Sequence, residues 1–397
     1  MREGWTYKKL GECFPYIKNG ANIKQIKGAK GYPITRIETL SGGVFNRDRM
    51  GYADIFDINK YQDYILENGD LLMSHIDSKT YIGRTVQYIY QDNEVIIHGM
   101  NLLRLRSNES VILSSFFKFY TDSWHFKTDI ASIRKDAVNQ SSFAISDLKN
   151  FKVPIPSLSE QQYIVAELDK INELISLKKA QLSDLDSLAQ SIFYDMFGDP
   201  IENEKGWEVK KLKDIVADDC SISYGIVQPG DGVNNGVPVV RPVDMTHTFV
   251  KRSGLKHTTK EISDSYKRTI LKGNEILICV RGTTGLVALA TEDLKGCNVT
   301  RGVSPIECNA LNNRLYVYHQ LLTDGIQHYI ANYTKGIALK QINMQDVREI
   351  PLIIPPLSLQ QEFAKRIELI EQQKAQICST IKDLETLLAS RMQYWFD

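Results

Sequence analysis

The sequence predicts an α+β fold in which two tandem domains are joined by two long antiparallel coiled-coil helices. Three observations lead to this prediction. Much of the 397-residue chain is written twice. Each copy ends in a long stripe of apolar residues at heptad spacing, and the rest of each copy mixes short strand and helix patterns without regular alternation. A chain of this length is also too long for one ordinary hydrophobic core, so two or more domains are expected.

Three segments recur in the same order, displaced by about 200 residues. Residues 4–12 return at 206–214, residues 31–36 at 236–241, and residues 147–162 at 346–361. Between these segments the copies diverge, apart from a shared glycine-containing turn at Gly83 and Gly285. A duplicated frame with different inserts suits a molecule that holds two recognition surfaces, each of which recognises something different.

The repeat divides the chain into four predicted segments. These are a first domain at 1–156, a long helix at 157–198, a second domain at 199–355 and a second long helix at 356–397. Within the domains, β-branched and aliphatic runs predict strands at 71–73, 94–97, 102–106 and 276–280. Aromatic-rich stretches at 114–128 and 315–334 predict helices.

Each long helix is predicted from apolar residues that alternate at spacings of three and four. In the first helix they are residues 164, 168, 171, 175, 182, 185, 189, 192 and 196, and in the second they are Phe363, Ile367, Ile370, Ile377, Ile381, Leu384, Leu388 and Trp395. Lys178 interrupts the first stripe, and Lys374 and Arg391 interrupt the second. Sustained heptads of this kind indicate a coiled coil.

Signals at the helix ends support these two helices. Ser159 with Gln162 and Ser358 with Gln361 have the spacing of a capping box, and Gly198 followed by Asp199-Pro200 is typical of a helix end. The stripes could bury themselves against each other, against a partner's helix or against a domain. Their similar length and phase favour pairing with each other. Because both helices leave their domains in the same sense, the pairing is expected to be antiparallel.

Charge and composition exclude some classes of protein. The net charge is zero, but residues 1–156 carry 21 basic against 17 acidic residues and residues 206–355 carry 18 against 15, whereas 157–205 carry 4 against 10. Local positive charge is what phosphate binding requires, so neutrality does not exclude nucleic acid. No apolar run is long enough for a membrane span, no signal peptide is recognisable, and the six cysteines form no CxxC pair. We therefore expect a cytoplasmic, reduced protein without a membrane partner.

Catalytic motifs are missing from the sequence. There is no Asn/Asp-Pro-Pro-aromatic motif of an adenine methyltransferase, since Ile354-Pro-Pro-Leu357 lacks both the amide and the aromatic ring, and there is no P-loop. Asp199, Glu208 and Lys210 loosely have the order of a metal-dependent nuclease site, but the other copy has Thr6 at the position of Glu208. We therefore predict no catalytic residue, no metal site and no bound cofactor in this chain.

Taken together, the repeated order of motifs resembles the HsdS specificity subunit of type I restriction-modification systems, over essentially the full chain. The resemblance rests on the order of motifs: Gly-Trp-x-x-Lys-Lys-Leu, a variable block, the Gln-Gln pair at the helix start, and a long helix followed by Phe-Gly-Asp-Pro at 197–200. Local matches at 72–78, 98–104 and 281–285 add to it. It implies a non-catalytic protein with two target-recognition domains, each of which reads half of a split double-stranded DNA site. It also implies that two methyltransferase subunits and further restriction/translocase subunits bind the chain. S-adenosylmethionine, Mg and ATP would belong to those partners.

Candidate DNA-binding residues were chosen because Arg and Lys read guanine, Asn and Gln read adenine, and Ser and Thr read either base. In the first domain they are Asn22, Lys24 and Lys27; His75, Ser78 and Lys79; and Arg134, Lys135, Asn139 and Gln140. In the second domain they are Gln228, Asn234 and Asn235; Arg281, Thr283 and Thr284; and Lys340, Gln341 and Asn343. The alternative for each residue is a solvated polar loop. Arg36 and Arg241 lie in the repeated frame, where a structural or phosphate-binding role is expected.

Two other functions are compatible with these patterns. A stand-alone bipartite DNA-binding regulator would need no enzyme partner, and an assembly scaffold would use its variable blocks to bind protein. The clustering of basic and amide residues in the divergent loops favours DNA over the scaffold.

Overall fold

In a computed structural model, the structure describes residues 4–138, 140–230, 232–336 and 339–397. The chain forms two compact units, a first unit of residues 1–178 with 380–397 and a second unit of residues 179–379. The strands are β1 Thr6–Lys9, β2 Tyr16–Asn19, β3 Leu71–Ser74, β4 Ile76–Asp77, β5 Thr85–Gln87, β6 Leu102–Arg106, β7 Lys135–Asp136, β8 Ser141–Ser142, β9 Lys152–Ile155, β10 Glu208–Lys211, β11 Val237–Val240, β12 Lys256–Thr258, β13 Ile276–Cys279, β14 Val287–Leu289, β15 Asn298–Val299, β16 Val303–Ile306 and β17 Pro351–Ile354. The α-helices are α1 Leu10–Cys13, α2 Ser114–Asp122, α3 Trp124–Ile133, α4 Ile145–Lys149, α5 Leu158–Phe197, α6 Lys260–Asp264, α7 Arg314–Leu321, α8 Asp324–Tyr333, α9 Met344–Arg348 and α10 Leu357–Phe396.

In the first unit, a sheet in the order β2-β6-β3-β5 separates two hydrophobic cores. Successive strand residues point to opposite faces, so Leu71 and Met73 of β3 join the core formed with α2 and α3, whereas Leu72 joins the smaller core on the other side. Both faces are buried, which explains why three consecutive residues of β3, 71–73, are apolar.

The second unit repeats this arrangement with the sheet β14-β13-β16. Ile276 and Ile278 of β13 face the core that contains α7 and α8, and Leu277 and Cys279 face the opposite core. In each unit an antiparallel ladder joins the start of the repeated frame to its end, β1 with β9 and β10 with β17.

The shared glycine turn has the same packing in both units. Gly83 has φ +81° and an added Cβ would lie 3.1 Å from Cγ2 of Ile130, while Gly285 has φ +88° and a corresponding distance of 3.3 Å to Ile330. Positive φ and this close approach both favour glycine. The predicted α+β fold with tandem repeats is therefore confirmed at the level of single contacts.

Two local predictions were wrong. Residues 94–97 form no regular strand, because only Ile97 makes isolated bridges, to Ile34 and Ile65. Each aromatic-rich stretch also forms two helices instead of one. The break in the first unit is at Ser123, whose hydroxyl accepts a hydrogen bond from Phe126 N at 3.2 Å and so caps α3.

The two 40-residue helices α5 and α10 pair in an antiparallel sense, as the heptads predicted. In the first unit the rings of Tyr163 and Trp395 lie 6.0 Å apart, and in the second unit Phe193 and Phe363 lie 5.6 Å apart. Ile164, Leu168 and Phe396 enter the core of the first unit. The helix pair is thus part of the domain cores as well as a coiled coil.

The capping-box prediction at the helix starts was wrong. α5 begins at Leu158, and the hydroxyl of Ser157 accepts from Glu160 N at 3.3 Å, so Ser159 already lies within the helix. The first glutamine of each Gln-Gln pair is the one that points inward. Gln161 and Gln360 are fully buried, whereas Gln162 is exposed.

Candidate nucleic-acid interface

In the first unit, two of the three predicted DNA-binding segments meet in one small sheet. β4 pairs with β8, which pairs with β7, so that Ile76 lies opposite Ser142 and Lys135 lies opposite the same residue. Ala137 N donates to Gln140 O at 2.8 Å and closes the β7–β8 hairpin. Segments more than 50 residues apart in the sequence thereby form one surface, which we call the first hairpin surface (residues 76–79, 134–138 and 140–142).

Asp136 organises the charges of the first hairpin surface. Arg134 Nε donates to its carboxylate at 2.6 Å, Ser141 Oγ donates at 2.7 Å, and Lys79 Nζ lies 3.7 Å away. The hydrogen bond from Arg134 is the main cause that lowers the pKa of Asp136. Lys135 and Gln140 are exposed beside this network, so their side chains are available to a ligand.

His75 differs from its predicted neighbours Ser78 and Lys79, which are exposed. It is 7% exposed, its ring lies 6.3 Å from that of Phe143, and burial lowers its pKa. A neutral, buried imidazole has no charge to offer to a phosphate. Contact between His75 and a base remains a prediction that requires local opening of this region.

The third segment of the first unit lies in a separate loop. Asn22, Lys24 and Lys27 are exposed, and the loop is fixed by backbone hydrogen bonds from Ala21 N to His98 O at 2.8 Å and from Ile26 N to Tyr52 O at 2.9 Å. Lys27, Tyr52 and Arg36 line a shallow cavity of 550 Å³. Asn139, also predicted, lies outside the described residues.

The second unit brings together the equivalent segments. Arg281 forms a β-bridge with Gln341, Lys335 bridges the same residue, and Gly282 N donates to Lys340 O at 2.9 Å. Thr334 Oγ1 donates to Thr284 Oγ1 at 3.2 Å and attaches the turn to the end of α8. We call this the second hairpin surface (residues 281–284, 334–336 and 339–341). It occupies the same place in the repeat as the first hairpin surface.

The other predicted residues of the second unit lie within the second hairpin surface, beside it or on another loop. Thr283, Lys340 and Asn343 are exposed, and Asn343 directly precedes α9. Gln228, Asn234 and Asn235 are exposed on the loop before β11, where Asn235 adopts φ 62° in a turn.

Two tyrosines that contact these surfaces were not among the residues predicted from the sequence. Tyr81 is 49% exposed and its ring stacks under the Arg84 guanidinium at 3.9 Å. Tyr224 accepts a hydrogen bond from Gln341 Nε2 at 3.1 Å. An aromatic residue two positions after Lys79 was a usable signal, because amphipathic rings are common at binding surfaces. Tyr224 offered no such signal, since it is distant from Gln341 in the sequence.

The two arginines of the repeated frame have different partners. Both nitrogens of the Arg241 fork reach the Asp244 carboxylate, at 2.9 and 2.7 Å. Arg36 Nε donates to Arg49 O at 3.1 Å. The bidentate pair gives Arg241 a structural role.

A duplicated α+β frame that carries two divergent surfaces, each with exposed lysines and a glutamine, defines a two-module recognition protein. The family model for the type I restriction modification DNA specificity domain matches residues 2–186 and 204–385, and the chain belongs to this family. It is a DNA sequence-specificity subunit of the type I class and not an enzyme.

Relatives and solved structures agree with this assignment. The chain is 29% identical to a putative type I restriction enzyme MjaX specificity subunit of Methanocaldococcus jannaschii, over 97% of this chain and 93% of that protein. It is 24% identical to the EcoBI specificity subunit of Escherichia coli, over 56% and 52% of the two chains. The fold is similar to the type I S subunit from M. genitalium, with a TM-score of 0.51 at 14% identity over 98% and 95% of the chains. A chain from a study of complex assembly of the type I R-M system gives 0.57 at 16% identity, over 100% and 98%.

Within the described ranges, no helix combines the length and apolarity needed to cross a membrane.

Proposed function

We propose that each unit reads one half of a bipartite double-stranded DNA site through its hairpin surface. The observation that carries this proposal is that the same bridged arrangement recurs with different side chains. Lys135 and Ser142 are paired in the first unit, whereas Lys335 and Gln341 are paired in the second. Since hydrogen-bonding side chains specify bases in the major groove, the same frame with different side chains gives two different half-sites.

The residue types indicate which side chains of each surface would bind phosphate and which would recognise bases. Lys79, Lys135 and Lys340 supply positive charge, which binds phosphate without regard to sequence. The amides of Gln140 and Gln341 are suited to adenine. The exposed loops that carry Lys24, Lys27, Gln228 and Asn234 would add backbone or groove contacts beside the hairpins. The segments 1–156 and 199–355 are the proposed target-recognition domains.

The paired helices α5 and α10 are the proposed spacer and docking site for two methyltransferase subunits, which restriction/translocase subunits would join. S-adenosylmethionine, Mg and ATP would be held by these partners. We propose that the complex works in the cytoplasm. The comparisons support a specificity subunit and give no support to a stand-alone regulator.

The test is to exchange residues 15–140 for those of a relative with another specificity, and to map methylated motifs by methylome sequencing with the cognate methyltransferase. We expect one half-site to change and the other to stay, because the other hairpin surface is untouched. A change in both half-sites, or in neither, would contradict the proposal.

Single substitutions refine this test. Gln341→Ala should relax the motif at one position of one half-site, whereas Lys340→Ala should weaken DNA binding about equally for all sequences and reduce its salt dependence. Lys152→Ala is the matched control, because Lys152 is exposed on β9 in the repeated frame. It should leave the motif unchanged.

A further inference from the structure

In the part of the chain that the structure describes, each unit has an ion pair that joins the two long helices. In the first unit, Arg391 Nε lies 2.6 Å from Glu167 Oε1, and the indole N–H of Trp395 donates to Glu167 Oε2 at 2.7 Å. In the second unit, Lys374 Nζ lies 2.8 Å from Asp186 and 2.7 Å from Glu371. Lys374 is 16% exposed, and Arg391 and Glu167 are 28% and 25% exposed. Lys374, Arg391 and Glu167 are therefore largely shielded from solvent, whereas Asp186 is 65% exposed.

The two ion pairs are not copies of each other. Leu158 begins α5 and Leu357 begins α10, and both helices have 40 residues, so they can be aligned position by position. The aligned pairs, with the α5 residue first, are Glu167 with Arg366, Ile175 with Lys374, Asp186 with Glu385, Ile192 with Arg391 and Met196 with Trp395. Lys374 and Arg391, the cations of the two ion pairs, thus have apolar counterparts in α5. The duplication has kept the heptads and changed the charges.

This difference makes like-with-like pairing unfavourable. If two copies of α5 paired in the same antiparallel alignment, Glu167 would face Ile192 and Asp186 would face Ile175, so each carboxylate would lose the cation that it meets in the native pair. An unpaired charge is costly at Glu167, whose side chain is only 25% exposed, whereas Asp186 is 65% exposed and mainly loses the attraction of Lys374.

Two copies of α10 would bring Arg391 against Arg366, although Lys374 would still meet Glu385. The like-charged pair opposes the contact. The apolar stripes alone would allow all three pairings, since they are similar in length and phase.

We propose that Glu167–Arg391 and Asp186–Lys374 determine which helix pairs with which. They direct α5 to α10 and away from the same helix of a second copy of this chain. Both attraction in the correct pair and repulsion in the wrong pair contribute to such selectivity.

Reversal of one charge tests this proposal in the full-length chain. Arg391→Glu places a glutamate against Glu167 in the native pair, and against Arg366 in a pair of two α10 helices. We expect the mass measured by light scattering to change from one chain to two. Adding Glu167→Arg restores the native complementarity and should return the mass to one chain.

Cys378 reports which helices pair. In an antiparallel pair of two α10 helices, Arg391 lies opposite Arg366 and Lys374 lies opposite Glu385. Cys378 then lies next to Cys378 of the other chain, and its thiol is free and exposed. A short bismaleimide should therefore link two chains of Arg391→Glu, and Cys378→Ser should abolish the link. The wild-type chain and the double variant should not be linked.

Lys382→Glu is the control, since it makes the same charge change on the exposed side of α10. The proposal is overturned if Arg391→Glu stays a folded single chain, if Glu167→Arg fails to reverse its association, or if the control dimerises equally. Should Arg391→Glu fail to fold, Lys374→Ile with Arg391→Ile gives α10 the residues of α5 at both positions. This variant should be a mixture of single chains and two-chain species, and the bismaleimide should link the two-chain species through Cys378. If only single chains are found, the proposal is contradicted.

Discussion

Gln161 and Gln360 connect the start of each long helix to its domain. Gln161 accepts a hydrogen bond from Leu113 N at 2.8 Å and donates to Val111 O at 3.0 Å and Pro156 O at 3.1 Å. Gln360 accepts from Asn313 N and donates to Pro355 O, both at 2.8 Å. One buried amide in each repeat thus satisfies backbone groups of the domain and of the segment just before the helix.

Removing this amide should cost stability. Gln161→Ala leaves Leu113 N and Val111 O without their partner, so we expect the free energy of unfolding to fall by about 1–3 kcal/mol. Urea denaturation measures this change. The exposed neighbour gives the control Gln162→Ala, which should have little effect, and equal losses for the two variants would refute the role of Gln161.

At this scale the sequence showed residue types but not which way they face. Capping-box spacing drew attention to Gln162 and Gln361, whereas the structure buries Gln161 and Gln360. His75 fits a DNA-binding loop by composition, yet it is buried beside Phe143. Burial depends on what packs over a side chain from distant parts of the chain, and a local pattern does not contain that information.

Among the elements, the helix pair was the easiest to predict and its charged contacts the hardest. Heptads depend on a local period, so they were visible in the sequence. The sequence identified Lys374 and Arg391 as interruptions of the stripe, but their partners Asp186 and Glu167 lie on the other helix. The hydrogen bond from Arg391 is the main cause that lowers the pKa of Glu167 below its ordinary value of 4.5.

This shift predicts a pH dependence with a definite sign. Because the pKa of Glu167 is lower in the folded chain, its stabilising effect is fully present above about pH 4.5 and is lost as the pH falls through the folded-state value. The stability difference between wild type and Glu167→Gln should therefore be large at pH 7 and shrink below pH 4.5 in denaturant titrations. In an Arg391→Gln background the difference should depend much less on pH, and an unchanged dependence would contradict the assignment to this ion pair.

At the scale of the whole molecule, duplication explains the two units. Each unit has the same central strands, the same glycine turn and the same buried glutamine, and its core includes residues of the long helices. The folding of each domain is thereby linked to the pairing of α5 with α10.

If α5 and α10 set the separation of the half-sites, their length should determine the DNA spacer. Inserting seven residues into both helices preserves the heptad phase and adds about 10 Å. This is close to three base pairs of B-DNA, so methylome mapping should show a longer spacer with unchanged half-sites. Removing four residues within 165–190 breaks the phase and should alter the spacer or prevent assembly. An active complex with the original spacer in either case would contradict the spacer role.

The sequence by itself determined the duplication, the α+β class, the two long helices and the divergent segments in which recognition residues are sought. These features are repeats and short periods, which are written in the order of neighbouring residues. Only the tertiary structure decided that Arg281 meets Gln341, that Tyr224 supports that glutamine, and that Glu167 receives Arg391. Such contacts join residues far apart in the chain, and their geometry follows from the packing of the whole unit.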